Sequence, residues 1–136
     1  MAVALDADAV IGFLDRSDTL HESATELVGE AATGDLLVTS AVTVAEVLTG
    51  ALLGRQDEEL FRGFFRDLIA AVIPVDSATA EVAARLRSES NLRMPDALVL
   101  ATAIVQSDIV TLITGDEQIA KAARSDLQVQ LLKGAN

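Results

Sequence analysis

Asp96 heads the stretch "LRMPDALVLATAI", and eleven uncharged residues separate it from the next charge at Asp108. A carboxylate at the head of a segment that otherwise belongs in a core invites a chemical explanation. Three further acids stand in comparable places: Asp6 ends the apolar run "VAL", Asp116 follows "IVTLITG", and Glu46 lies within "SAVTVAEVLTG" shortly after the run "LLVTS". If these four meet, their like charges raise one another's pKa unless a cation neutralises them. Oxygen-only ligands suit Mg²⁺ or Mn²⁺, and such a site keeps waters able to attack a phosphodiester.

The elements that must bring them together can be read from the pattern. Five short runs rich in Val, Ile and Leu, at Val3–Leu5, Leu36–Ser40, Ala70–Val75, Ile109–Thr114 and Leu127–Leu132, have the form of buried parallel strands. Helical patterns fill the gaps: "ADAVIGFLDRSD" and "TLHESATELVGEAATG", which Gly34 should stop; "AVTVAEVLTGALLG" and "DEELFRGFFRDLIA"; "SATAEVAARLRSES" and the Pro95 segment; then "DEQIAKAARSD". Alternating strands and helices predict an α/β chain, a three-layer α/β/α sandwich around a parallel sheet of four to five strands with right-handed crossovers, in one domain over 1–136. In such sheets the ligand crevice lies beyond the carboxyl ends of the strands, where Asp6 and Asp116 fall. Pro95 suits a first helical position with Met94 extended before it, which puts Asp96 in the first turn of a helix apolar on nearly every face.

Each acid also has an ordinary explanation. Asp6 and Asp116 can cap the helices that follow, Asp96 can complement a helix dipole, and Thr43, Thr49 and Gly50 beside Glu46 suggest a solvated face. The chemical reading rests on the set.

Composition limits the alternatives. The chain has 136 residues, 51% of them hydrophobic, which suffices for a core without staples, and the absence of cysteine excludes disulfides and thiolate chemistry. The first residues lack a basic n-region and no uncharged run approaches the roughly 20 residues of a membrane span, so a soluble cytoplasmic protein without membrane contact is expected. A net charge of −11, with neither Trp nor Tyr, argues against broad electrostatic capture of nucleic acid and against stacking platforms.

In order, "LDADAVIGFL", "SAVTVAEVLTG", "RMPDALVLATAI" and "TLITGDEQIAK" resemble the motif set of PIN-domain ribonucleases, and length and spacing resemble the VapC toxins of bacterial toxin–antitoxin pairs. By position, the resemblance makes Asp6, Glu46, Asp96 and Asp116 the metal-site acids, with Asp6 and Asp96 as direct ligands, and Thr114 the hydroxyl beside Asp116. Asp8 stands where the family more often has Ser, Thr or Asn, so it either adds a carboxylate or alters metal stoichiometry. The resemblance further implies Mg²⁺- or Mn²⁺-dependent hydrolysis of single-stranded RNA, a homodimer, and an antitoxin whose basic side chain enters the acidic pocket.

Two rival functions remain. "LDADAV" also fits the aspartyl-phosphate motif of haloacid-dehalogenase-like phosphatases, with Asp6 as nucleophile, Asp8 as general acid and "LLVTS" supplying a hydroxyl, but Lys121 and Lys133 both follow Asp116 where that chemistry needs a lysine ahead of it. A catalytically inactive binding protein of the same fold is the other. For RNA contact the candidates are Arg85, Arg87 and Arg93; Arg55, Arg62 and Arg66 are largely cancelled by Asp57, Glu58, Glu59 and Asp67. His21 reads as a packing or surface residue, and Phe61, Phe64 and Phe65 as core, with Leu60, Leu68 and Ile69 leaving an apolar surplus for a second subunit or an antitoxin.

Overall fold

The computed structural model describes residues 1–123 and 126–135. Five strands, β1 (Ala2–Leu5), β2 (Leu36–Ser40), β3 (Ala71–Ile73), β4 (Ile109–Thr114) and β5 (Gln128–Leu131), form one all-parallel sheet in the order β3-β2-β1-β4-β5. The chain moves outward from β1 to β3, then returns to the other side of β1 for β4 and β5. Right-handed crossovers in the two directions put their helices on opposite faces. Thus α1 (Ala7–Leu14), α2 (His21–Gly34), α3 (Ala41–Leu52) and α4 (Glu58–Asp67) cover one face, while α5 (Ser77–Glu89), α6 (Met94–Val105) and α7 (Glu117–Ala122) cover the other. The result is the expected three-layer sandwich.

Strand alternation feeds both cores. Val3 and Leu5 pack with Val10, Val28, Val47, Phe61 and Phe64 on one face; Ala2 and Ala4 pack with Leu86, Leu100, Leu112 and Ile119 on the other. The small β1 residues Ala2 and Ala4 leave room for α6, which is buried at Ala97, Val99, Leu100, Ala101, Thr102 and Ala103, as its all-round apolarity requires.

Several boundaries differ from the sequence reading. β3 is shorter than Ala70–Val75 because it is an edge strand with β2 as its sole strand partner, and Pro74 has no N–H to offer a ladder. Gly34 is the last residue of α2 rather than the residue beyond it, with Asp35 as the extended C-cap. Met94 is the first residue of α6 and Arg93 its N-cap, so Pro95 sits second; the missing N–H is still among the four that lack an intrahelical partner. The helix drawn over "DEQIAKAARSD" ends at Ala122, and positions 124–125 of that run lie outside the described residues.

Candidate active site at the sheet switch point

β1 is where the strand order reverses, and the carboxyl ends of β1 and β4 therefore open the crevice expected of a doubly wound sheet. Asp6 follows β1 directly. Its backbone N–H donates to Ile113 O at 3.2 Å, and its Oδ1 accepts the Ala9 N–H at 2.9 Å, capping α1. Oδ2 accepts the Thr114 hydroxyl from the end of β4. Thr114 Oγ1 in turn accepts the Asp116 N–H at 3.0 Å, and Asp116 caps α7 through Gln118 N at 2.8 Å. Capping thus occupies one oxygen each of Asp6 and Asp116.

Asp6 is 6% exposed, and its carboxyl is pushed up to about 7 by burial first and by Asp8 and Asp96 besides, against the lowering bonds from Thr114 and Ala9. Asp8 is raised by burial and then by Asp116, Asp18 and Asp96. Glu46 is raised by burial, then by Asp96 and Asp8 with Arg93 opposing, and Asp96 by burial, with Arg93 lowering it and Asp116 raising it. These mutual influences identify one group: Asp6, Asp8, Glu46, Asp96 and Asp116, drawn from β1, α1, α3, α6 and the β4–α7 turn. Asp96 and Asp116 are within hydrogen-bond reach of each other, and Arg93 Nε donates to Asp96 Oδ2 at 3.2 Å.

Two contributors escaped the sequence reading. Asp18, in the turn before α2, faces Asp8; nothing in its local pattern distinguishes it from an ordinary Asx turn, which it also makes with Leu20 N at 2.8 Å. Gly115 lies flat beneath Asp8: a Cβ there would stand 2.8 Å from Asp8 Oδ2 and 2.9 Å from Leu20 Cδ1. The signal available was "TGD", a glycine between two rim residues. The solvated face suggested for Glu46 is only partly present, since Thr43 is fully buried while Thr49 is exposed.

Of the three arginines, Arg93 alone is bonded to a rim acid; Arg85 pairs with Glu81 at 3.4 Å on exposed α5. His21 lies in the α1–α2 contact, Nδ1 2.8 Å from Gly12 O.

Oxygen donors that raise each other's pKa are chemically suited to a hard divalent cation, which would relieve both burial and repulsion. As placed, among the described residues no three acids stand around one point closely enough to hold an ion; Thr114 and Ala9 hold Asp6, and Arg93 holds Asp96. The donor chemistry fits, and Asp6, Glu46, Asp96 and Asp116 are the residues that would hold the ion.

On the far side of the same helical layer, Leu14, Leu60, Phe64 and Leu68 line a groove of about 370 Å³ collared by Asp57, Glu59 and Asp67. Leu60 and Leu68 are exposed, whereas Phe61 and Phe64 are buried and Phe64 packs on Phe13 with ring centres 5.8 Å apart.

The PIN domain family model matches residues 3–125. Among solved structures, the chain is similar to one from the VapBC2 complex of Rickettsia felis bound to a promoter DNA fragment: TM-score 0.76, 15% identity, covering 98% of this chain and 100% of that one. It is similar to the sarcin-ricin loop cleaving toxin VapC20 of Mycobacterium tuberculosis (TM-score 0.73, 15% identity, 92% and 98% covered) and to a chain of a toxin–antitoxin complex from Klebsiella pneumoniae (0.70, 24%, 93% and 98%). At these identities the likeness is one of fold. No curated protein matches the chain in sequence.

Proposed function

The chain belongs to the PIN-domain family, and from that premise we propose that it is a metal-dependent endoribonuclease acting on single-stranded RNA, the toxin of a toxin–antitoxin pair. The observation that carries the reading is the gathering of Asp6, Asp8, Glu46, Asp96 and Asp116 at the switch point, where four of the five have raised pKa values through burial and one another. Perturbation by burial together with specific charge partners is how functional sites tune their acids.

In this reading Asp6 and Asp96 hold Mg²⁺ or Mn²⁺ directly, and Glu46 and Asp116 do so directly or through water. The bound ion supplies an acidified water and a counter-charge for the phosphate. The chain's own residues do the positioning. Thr114 and the Ala9 N–H fix both oxygens of Asp6, so its remaining lone pairs have one orientation. Thr114 also anchors the turn that presents Asp116. Gly115 lets Asp8 lie close over that turn, placing a further carboxylate where it strengthens cation binding. Arg93, at the mouth, is the contact offered to the RNA phosphate, and a narrow contact of that sort is salt-sensitive.

The antitoxin reading is supported by the complexes among the structural neighbours and by the α4 groove, whose apolar floor and acidic collar suit an amphipathic segment with basic flanks. Self-association as a homodimer is part of the same reading. Among the described residues no helix is long and apolar enough to cross a membrane.

The test is incubation of the antitoxin-free chain with a pool of single-stranded and structured RNAs in Mn²⁺, Mg²⁺ or EDTA, beside Asp6→Asn. Asn is as good an N-cap as Asp, so α1 keeps its start. Cleavage that requires the metal and falls by roughly 10²–10³-fold or more in the variant is expected. A covalent phosphoaspartate at Asp6 would instead revive the phosphatase, and full cleavage by Asp6→Asn would refute the site.

A further inference from the structure

The acid rim carries a cation of its own. Arg93 is the N-cap of α6, yet its side chain makes no capping bond; instead Nε donates to Asp96 Oδ2 at 3.2 Å. A cation at a helix N-terminus opposes the macrodipole, so the helix itself gives no reason for a guanidinium there. What holds it is the acids: Asp96 first, with Glu46 and Asp116 behind it. The pair is lopsided, for the Arg93 side chain is 77% exposed and that of Asp96 14%. One partner is fixed in the wall of the site, and the other can leave for solvent at little cost.

We propose that Arg93 is the internal counter-ion of the rim: it occupies Asp96 until a divalent cation takes that carboxylate, and the cation must displace it to bind. This rests on the metal-site reading above. A divalent cation and a guanidinium brought to the same carboxylate repel each other, which offsets part of what each gains there and makes them competitors for Asp96. Once released, the guanidinium stands at the mouth of the site with its fork of donors free, the geometry that matches a phosphate. Loading with metal and exposing the phosphate contact become one event.

The experiment is a Mn²⁺ titration of the purified full-length chain, followed by electron paramagnetic resonance of free Mn²⁺, for wild type, Arg93→Gln, Arg93→Lys and Arg85→Gln. The last removes the same charge from α5, on a side chain paired with Glu81, and so measures the effect of net charge alone. Arg93→Gln is expected to bind Mn²⁺ about two- to fivefold more tightly than wild type, the size of one exposed ion pair removed from competition. Arg93→Lys and Arg85→Gln should stay near wild type. In parallel, the rise in melting temperature on adding Mn²⁺ should be larger for Arg93→Gln. If all four chains bind Mn²⁺ but Arg93→Gln is no tighter, or Arg85→Gln tightens equally, the counter-ion role is overturned while the metal site stands. Mn²⁺ bound by none of the chains overturns both.

Discussion

The switch-point rim and helix α4 are both crowded with acids, and they treat them in opposite ways. On α4, Asp57 caps the helix through Leu60 N, Glu58 pairs with Arg62 at 2.8 Å, and Asp67 pairs with Arg66, which holds its carboxyl below the usual range. All these side chains are exposed, and each charge has a neighbour or solvent to satisfy it. At the rim, Asp6 is buried, Glu46 and Asp96 are half-buried, and Asp8, though exposed, stands against other carboxylates; the acids raise one another, with Arg93 as their compensating cation. The same side chain therefore stabilises one region and strains the other. Strain retained at the carboxyl ends of the strands, in four acids from four segments of the chain, is what a cation-binding reaction centre would require; satisfied charge on an amphipathic helix is what an exposed surface requires.

The widest gap between the two regions should appear in the pH dependence of stability. A carboxyl whose folded pKa is raised binds its proton more tightly folded than unfolded, so the fold loses stability as pH rises from the unfolded value towards the folded one. For Asp6 that window runs from 3.8 to about 7, and the loss is on the order of 4 kcal/mol, reached near neutrality and constant above it. Asp8, Glu46 and Asp96 act in the same direction. Metal-free protein is thus expected to melt several degrees higher at pH 5 than at pH 8, and Asp6→Asn to flatten the difference; calorimetry in EDTA measures both. Asp67, with a lowered and fully exposed carboxyl, should contribute almost nothing. A metal-free chain equally stable at both pH values would remove the claim that the rim is strained.

Two glycines sharpen the contrast at the next scale. Alanine at Gly115 meets Asp8 Oδ2 and Leu20 Cδ1 closer than 3.0 Å; these side-chain ends can give way, so the cost is about 1 kcal/mol, but Asp8 is misplaced. Alanine at Gly63, inside α4, meets nothing nearer than Arg66 Nη2 at 3.5 Å, and should stabilise the helix by roughly 0.5–1 kcal/mol. Urea melts of the two variants should move in opposite directions. Smallest of all, Glu58→Gln breaks an ion pair whose members are about half exposed, and the unfolding free energy should fall by less than about 0.5 kcal/mol.

Much of this contrast could be read in the sequence. The strands announced themselves because buried parallel strands have no polar face to alternate, and β2 and β4 fall where their Val, Ile and Leu runs begin and end. Edges were harder: β3 has half the partners of β1 and stops short of Pro74. The acids Asp6 and Asp116 could be assigned to the strand ends from the topology rule alone. Arg93 could not be separated from Arg85 and Arg87 by sequence, since the spacing to Asp96 becomes informative only once Arg93 is known to cap α6 rather than precede an extended Met94. The Gly115 contact depends on how the β4–α7 turn lies against α1, and Asp18 on how the α1–α2 turn folds back, and no local pattern encodes either.

The central claim is that the rim acids, and not the equally acidic α4, hold a divalent cation. Crystals of the chain grown in Mn²⁺ and measured above the manganese edge locate the ion directly. The account predicts an anomalous peak about 2 Å from carboxylate oxygens of Asp6 and Asp96, with the Arg93 guanidinium turned away from Asp96. A peak on Asp57, Glu59 or Asp67, or an empty rim at saturating Mn²⁺, would contradict it.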